Sequence, residues 1–271
     1  MRSNLTQGTV ITSIRSQKYK NQSCYGIIIS ARCDIANNKI SKIYYLEAVS
    51  LEDWIVSETG FKMITKSTLG NINSQIESIL KKANLSWDTL KRFNKEDFET
   101  VVTNEIKKPS DLTKSIELFK KYREYNDCIT PFEERKILLQ DNKKNLERTI
   151  SDISNGKHSH FSYIPENALN SNIQHGLIVD LQEVDYFDMN TVNDLINCAI
   201  DNENLTLDKK TKEKYNNKFS LDIEPGYAIA LCVVKSPWIE YLLQHFSNSF
   251  ARIGVDNPDI SSINQMLTTI I

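Results

Sequence analysis

The sequence predicts an α+β fold, in which a small β-barrel is interrupted by a helical insertion. Strand-like runs rich in β-branched residues lie near both ends of the chain, within residues 8–50 and 158–234. Between them, residues 51–156 place apolar side chains at helical spacing. Neither end holds enough strands to close a barrel alone. We therefore expect residues 1–50 and 157–271 to form the barrel with a C-terminal helix, and residues 51–156 to form the insertion.

Composition limits the classes of function. The 271 residues are 40% hydrophobic and 25% charged, which is typical of a globular protein. The formal net charge of −2 creates no general attraction for nucleic acid or anionic lipid, so any polyanion site has to be a local patch. Five scattered cysteines indicate a reduced compartment. Without an N-terminal apolar segment or a membrane-length run, we expect a cytoplasmic protein, and the Lys, Asn and Ile content suggests a bacterial source.

The first strands are the most strongly specified part of the chain. Residues 8–14 predict one strand, and the continuous apolar run 25–30 predicts a buried second strand. A turn at 37–38 then leads into residues 39–49, which alternate along the chain. Since neither parity of that third strand is wholly polar, we expect it to be covered on both faces.

Capping residues predict where the helices begin. Ser50 and Asp53 form a capping box that starts a helix carrying Trp54. Farther along, Ser110 is the expected cap of a longer helix, which pairs with a helix from about Pro131 in an αα-hairpin. Before them, residues 73–82 place apolar side chains at helical spacing, and Asn94 is the expected cap of a short helix containing Phe98 and Val102.

Strands return after the insertion. Residues 160–164, 176–181 and 227–234 predict three more, and a helix with a wide apolar face follows Ser236-Pro237. The whole plan therefore has strands at both ends of the chain and helices in the middle.

Short motifs in these strands resemble the PemK/MazF toxins, namely Gly8-Thr9-Val10-Ile11, Gly26-Ile27-Ile28-Ile29-Ser30, Ile43-Tyr44-Tyr45-Leu46-Glu47-Ala48-Val49-Ser50 and Gly176-Leu177-Ile178-Val179-Asp180-Leu181. The resemblance covers the two ends of the chain only, and it implies an SH3-like barrel and cleavage of single-stranded RNA. The toxins carry Arg-Pro before the second strand, where this chain has Ser23-Cys24-Tyr25. Their Thr or Ser after the third strand corresponds to Ser50, which is already expected to cap a helix.

Four residues are catalytic candidates. Cys33 and Asp34 follow a buried strand, where the thiol is either a nucleophile or metal ligand, or a small buried side chain beside a turn. A divergent ribonuclease would instead use Arg32 and Ser50. A toxin without its arginine lacks the main electrostatic catalyst for phosphoryl chemistry.

Two groups of side chains suggest a metal site. His158, His160 and His175 with Cys33 and Asp34 are possible zinc ligands, but the chain lacks CxxC and HExxH spacing, and a surface strand with two histidines is the alternative.

Three carboxylates, Asp180, Glu183 and Asp185, follow a strand and suggest Mg²⁺. Solvated carboxylates at a strand end are the alternative. We therefore expect no metal and no cofactor.

A basic loop is the candidate nucleic-acid contact. Arg15, Lys18 and Lys20 lie beside the first hairpin, and Tyr44 adds an aromatic ring for stacking. An ordinary solvated loop is the alternative.

The helical hairpin is the candidate protein-docking surface. Tyr125, Phe132, Ile137 and Leu138 fall partly outside its apolar stripes. Burying one such side chain contributes about 1.5–3 kcal/mol, so a cover is expected. That cover is either another protein chain or the barrel itself, if the insertion folds back on it.

Together these patterns favour a non-catalytic binding or regulatory subunit of a bacterial multi-protein system, docked to a partner protein through the insertion. Phage defence or a mobile element is the expected setting, with RNA or DNA as a further ligand of the basic loop and no membrane involved. The alternative is a divergent toxin-type endoribonuclease acting on single-stranded RNA.

Overall fold

The computed structural model describes residues 5–37, 39–127, 132–197, 200–201 and 215–251. It combines helices with a curled antiparallel sheet that has the shape of a half-barrel. The α+β class predicted from the sequence is therefore confirmed.

Strands from both ends of the chain share one six-stranded sheet, in the order β4-β5-β3-β2-β1-β8. The strands are β1 Thr9–Ile11, β2 Cys24–Ile28, β3 Lys42–Ser50, β4 Phe161–Ile164, β5 Leu177–Asp188, β6 Ile200–Asp201, β7 Tyr227–Ala228 and β8 Ala230–Val233. All pairings within this sheet are antiparallel, and β3 joins the two ends of the chain by pairing with both β2 and β5. A separate two-stranded sheet pairs β6 with β7.

Seven of the described helices, α2–α8, lie between β3 and β4, and the others follow β2, β5 and β8. They are α1 Arg32–Ala36, α2 Leu51–Val56, α3 Glu58–Lys82, α4 Trp87–Leu90, α5 Lys95–Glu105, α6 Pro109–Asn126, α7 Phe132–Asp141, α8 Lys143–Ser154, α9 Met189–Asn197 and α10 Trp238–Ala251. None of the helices described is both long and apolar enough to cross a membrane.

Both faces of the sheet are covered, as the alternation in β3 predicts. Tyr45 and Val49 belong to a core that continues into the helices of residues 51–156. Leu46 and Ala48 point to the other face, where α10 packs on them. The insertion therefore shares a hydrophobic core with the half-barrel, while the domain boundaries at residues 50 and 156 stay a prediction.

Two of the expected helix starts have different outcomes. The cap at Ser50 is confirmed, because the backbone N–H of Asp53 donates to its hydroxyl oxygen at 3.0 Å. The cap at Ser110 is wrong, because the helix begins at Pro109 and Lys108 takes the capping position. Proline favours the first helical position, since its fixed φ suits the helix and its missing N–H is not needed there.

The helical layer is organised by α3, a helix of 25 residues of which the sequence predicted only the last part. Both α6 and α8 pack on α3, and α8 also contacts β4. The helices that were predicted to pair with each other, α6 and α8, therefore pack mainly on a third helix, α3. Thus α3 is joined to the sheet in two ways, through α8 and through α2, which follows β3 directly.

A bulge interrupts the pairing of β3 with β5. Leu46 pairs with Val184 and Ala48 with Val179, so an advance of two residues along β3 matches five along β5. The extra residues, 180–183, lie opposite Glu47. Such bulges bend a strand and redirect its side chains, and here they bring several carboxyl groups close to Glu47.

Candidate functional site

A groove runs between the loop of residues 15–22, which joins β1 to β2, and the helices α3, α7 and α8. Its central part encloses about 710 Å³, which is within the usual range for ligand sites. Gln17, Lys18 and Glu58 line both this part and the neighbouring stretch on one side. Met63 and Lys66 are shared with the stretch on the other side. The three stretches therefore form one continuous groove.

The lining of the groove is strongly cationic. Among the described residues, its fixed charges are six basic and two acidic side chains, namely Lys18, Lys20, Lys62, Lys66, Arg135, Arg148, Glu58 and Asp152. The whole chain, by contrast, carries a net charge of −2. The groove is thus the kind of local positive patch that an anionic chain can still use.

Two of these cations are free to meet a ligand. Lys62 pairs with Glu58 at 2.6 Å, and Arg148 lies 3.8 Å from Asp152. Lys20 and Lys66 are exposed and make no ion pair within the described part of the chain. A phosphate could therefore bind Lys20 or Lys66 without displacing an existing partner.

Lys18 fastens the loop to the sheet. Its Nζ lies 2.5 Å from Oδ2 of Asp180, which is only 1% exposed, and 5.2 Å from the centre of the Phe161 ring. Asp180 also accepts hydrogen bonds from the Tyr19 hydroxyl at 3.3 Å and from the backbone N–H of Gln182 at 3.1 Å. The alternative of a solvated strand-end carboxylate is wrong for Asp180, because β5 continues to residue 188 and the loop covers this side chain.

Glu47 is buried beneath the same loop. It is 8% exposed, and within the described ranges its Oε2 has no hydrogen-bond partner. Desolvation raises the pKa of Glu47 to about 7, the hydroxyl of Ser16 lowers this pKa by hydrogen bonding, and the carboxylates of Glu183, Asp180 and Asp185 raise it. Glu47 can therefore change charge near neutral pH.

The four catalytic candidates do not form one site. Arg32 and Cys33 are exposed on α1, where the Cys33 Sγ lies 3.6 Å from Oδ1 of Asp34. Ser50 is at the opposite end of β3, roughly 25 Å away for a strand of that length. Its hydroxyl donates to Oδ2 of Asp53 at 2.8 Å. The alternative of a buried thiol at Cys33 is also wrong, since α1 turns this side chain to the surface.

Of the four nucleic-acid candidates, two line the groove. Lys18 and Lys20 lie on it, as described above. Arg15 is exposed but donates its Nε–H to the carbonyl of Phe219 at 3.4 Å, and it does not line the groove. Tyr44 is 46% exposed on the other face of the sheet, so it also lies outside the groove.

The four protein-docking candidates are divided between core and surface. Tyr125 is 6% exposed and stacks on Phe61, so in this fold it belongs to the chain's own core. Leu138 is half-buried and packs on the same core, whereas Ile137 is 63% exposed. The side chain of Phe132 lies outside the described residues. The expectation that these side chains share one docking surface is thus wrong for Tyr125.

The proposed zinc ligands are dispersed. The rings of His158 and His160 are 5.6 Å apart at the groove, and burial, followed by the charge of His160, lowers the pKa of His158. His175 lies elsewhere, 3.4 Å from Glu52. Among the described residues, no three His, Cys, Asp or Glu side chains are arranged to hold a metal ion.

Sequence reasoning missed Lys62, Lys66 and Glu47. The two lysines are four residues apart on α3, so a correct prediction of that helix would have placed them on one face. Glu47 interrupts the buried parity of β3 between Tyr45 and Val49. A charged residue among apolar neighbours on one strand face was the available signal.

No protein-family model, curated protein or solved structure matches this chain. The resemblance to the PemK/MazF toxins therefore rests on the quoted motifs and stays a prediction. Function has to be argued from the chemistry of the groove itself.

Proposed function

We propose that this protein is a non-catalytic binding subunit whose groove holds the phosphate backbone of single-stranded nucleic acid. The observation that carries the proposal is the excess of six basic over two acidic side chains in one groove of a slightly acidic protein. Lysine and arginine contacts to phosphate supply most of the affinity in binding that does not depend on sequence.

The shape of the site favours a single strand over a duplex. The cations line a concave groove between a loop and helices, whereas proteins that read a duplex usually insert a helix or ribbon into its major groove. Grooves that follow a single-stranded backbone are lined by positive side chains in this way. Lys18 lines both the stretch of the groove that holds Lys20 and the stretch that holds Lys66, so a strand that follows the groove passes all three.

Binding without cleavage is part of the proposal. A toxin-type ribonuclease would need Arg32 and Ser50 to act together, but Arg32 lies on α1, which precedes β3, and Ser50 is the last residue of β3. We also propose that the half-barrel is a divergent SH3-like barrel, which the order of the early strands supports, and that the protein works within a bacterial multi-protein system.

The most direct test measures binding of labelled single-stranded RNA and DNA by fluorescence anisotropy. We expect Lys20→Glu and Lys66→Glu each to weaken binding about tenfold, the free energy of one lost phosphate contact being on the order of 1.4 kcal/mol. Lys121→Glu is the matched control, because Lys121 is exposed on α6, away from the groove. The RNA should remain intact. If the two groove variants bind like Lys121→Glu, or if the wild type binds neither polymer, the proposal fails.

Docking of a partner protein through the insertion is a second candidate function, favoured by the exposure of Ile137 on α7. Ile137→Glu should leave the free energy of unfolding unchanged and abolish assembly with the partner. Leu138→Glu should instead destabilise the protein, because Leu138 packs on the core. Retained assembly of Ile137→Glu in co-purification from the native host would exclude α7 as the docking surface.

A further inference from the structure

The central part of the groove contains aromatic rings as well as cations. His158 and His160, which directly precede β4, line it together with Lys66. Phe161 also lines it but is only 3% exposed. Tyr44, the ring that the sequence suggested for stacking, lies on the other face of the sheet. Among the described residues, the two histidines are therefore the rings that a ligand in this part of the groove would meet.

A series of ring contacts supports these histidines from the core. Trp54 is fully buried, and its ring centre lies 5.4 Å from that of Phe161. The Phe161 ring lies 5.3 Å from His158, which in turn lies 5.6 Å from His160. These separations are typical of favourable aromatic pairs. The exposed ring of His160 is thus held by packed neighbours, so little conformational entropy is lost when a ligand contacts it.

Hydrogen bonds fix the backbone at His160 as well. Its N–H donates to Nδ1 of His158 at 3.3 Å, and its carbonyl oxygen accepts from the backbone N–H of Leu181 at 2.9 Å. The first bond requires an Nδ1 without a proton, so it favours the neutral form of His158. Burial lowers the pKa of His158, which favours the same form. The pair is therefore better suited to contact an aromatic ligand than to hold phosphate by charge.

At least one face of the His160 ring is open to a ligand. The rings of His158 and His160 are nearly perpendicular, at an interplanar angle of 87°. Perpendicular rings meet edge to face, so His158 covers at most one face of its neighbour. Since His160 is exposed, its other face is accessible from the groove.

Two uncharged amides border the same part of the groove. Gln17 lies on the loop between β1 and β2, and Gln182 lies in the bulge of β5. Both side chains are exposed, and neither makes a hydrogen bond within the described part of the chain. An amide carries donors and an acceptor, as does the edge of a nucleobase. The groove therefore offers a ring for the face of a base and amides for its edge.

We propose that the central part of the groove binds nucleobases, with His160 as the stacking residue and the lysines holding the phosphates beside it. This inference rests on the proposed function and extends it from the phosphate backbone to the bases. Stacking tolerates every base, because each has a π-face. The groove should therefore select strands that carry bases over other polyanions, without requiring one sequence.

The test compares a labelled single-stranded DNA with an abasic strand of the same length, which has the phosphates and sugars but no bases. Binding is measured by fluorescence anisotropy at about pH 8.5, where histidine side chains are uncharged, so that a change at His160 removes a ring and not a cation. The wild type should bind the base-bearing strand at least about fivefold more tightly, as expected from stacking of one base on an aromatic side chain.

Three variants assign this preference. His160→Ala should remove it by weakening the binding of the base-bearing strand alone. His160→Phe keeps a flat ring at the same place and should retain it. Lys66→Glu should weaken the binding of both strands by the same factor, because it removes a phosphate contact and leaves the ring in place.

The outcomes separate this inference from the proposed function. If the wild type binds without preferring the base-bearing strand, if His160→Ala keeps the preference, or if His160→Phe loses it, stacking on His160 is wrong although the groove still binds phosphate. If the wild type binds neither strand, the proposed function and the base site are both wrong.

Discussion

Glu47 occupies a position on β3 at which the flanking residues of the same face, Tyr45 and Val49, are part of the core. Burying a carboxyl group there costs free energy mainly when it is ionised, because the low-dielectric surroundings disfavour the charge. The folded state therefore binds a proton more tightly than the unfolded chain does.

This difference in proton affinity predicts how stability depends on pH. The pKa of Glu47 is about 7 in the folded state, whereas its ordinary value is 4.5. The protonated carboxyl group therefore contributes its full stabilisation of the folded state below pH 4.5, and this contribution is lost as pH rises through 7. The lost stability is about 3 kcal/mol. Relative to the wild type, Glu47→Gln should therefore gain about 3 kcal/mol between pH 4.5 and pH 8 in urea unfolding. Equal curves for the two proteins would contradict the burial of this charge.

The helices show where sequence patterns were sufficient and where they were not. The strand of residues 39–49 and the cap at Ser50 were predictable, since both depend on local spacing. Most of α3 was not, because two glycines and several Ser, Thr and Asn residues lower its helix propensity. The packing of α6 and α8 against α3 compensates for this low helix propensity, and such tertiary contacts cannot be read from local sequence patterns.

The two glycines of α3 differ in their surroundings, and this difference is testable. A Cβ at Gly60 would lie 1.9 Å from the carbonyl oxygen of Trp54, whereas a Cβ at Gly70 would meet nothing within 4 Å. Gly60→Ala should lower the free energy of unfolding by more than about 2 kcal/mol, because α2 and α3 would have to separate.

Gly70→Ala should instead raise the free energy of unfolding by up to about 1 kcal/mol, through the better helix propensity of alanine. Thermal and urea denaturation of the two variants provide the comparison. Similar effects at the two positions would show that α2 and α3 do not approach as closely as described.

At the scale of the whole molecule, the groove arises from long-range packing. Lys18 and Lys20 were predictable as a basic loop, but Lys66 is far from them in sequence and joins them only in the folded chain, where α3 faces the loop. Arg15 and Tyr44 were expected at the site because of their positions along one loop and one strand, but the packing of the folded chain leaves both outside the groove. Spacing along one strand or loop cannot show which distant helix will face it.

The central claim is that the groove contacts phosphates, and the salt dependence of binding tests it most directly. For single strands, the logarithm of affinity falls with the logarithm of salt concentration by about 0.7 for each phosphate neutralised. With Lys18, Lys20 and Lys66 engaged, we expect a slope of about −2, and removing Lys20 and Lys66 together should reduce its magnitude by about 1.4. A wild-type affinity independent of salt, or an unchanged slope in the double variant, would contradict the account.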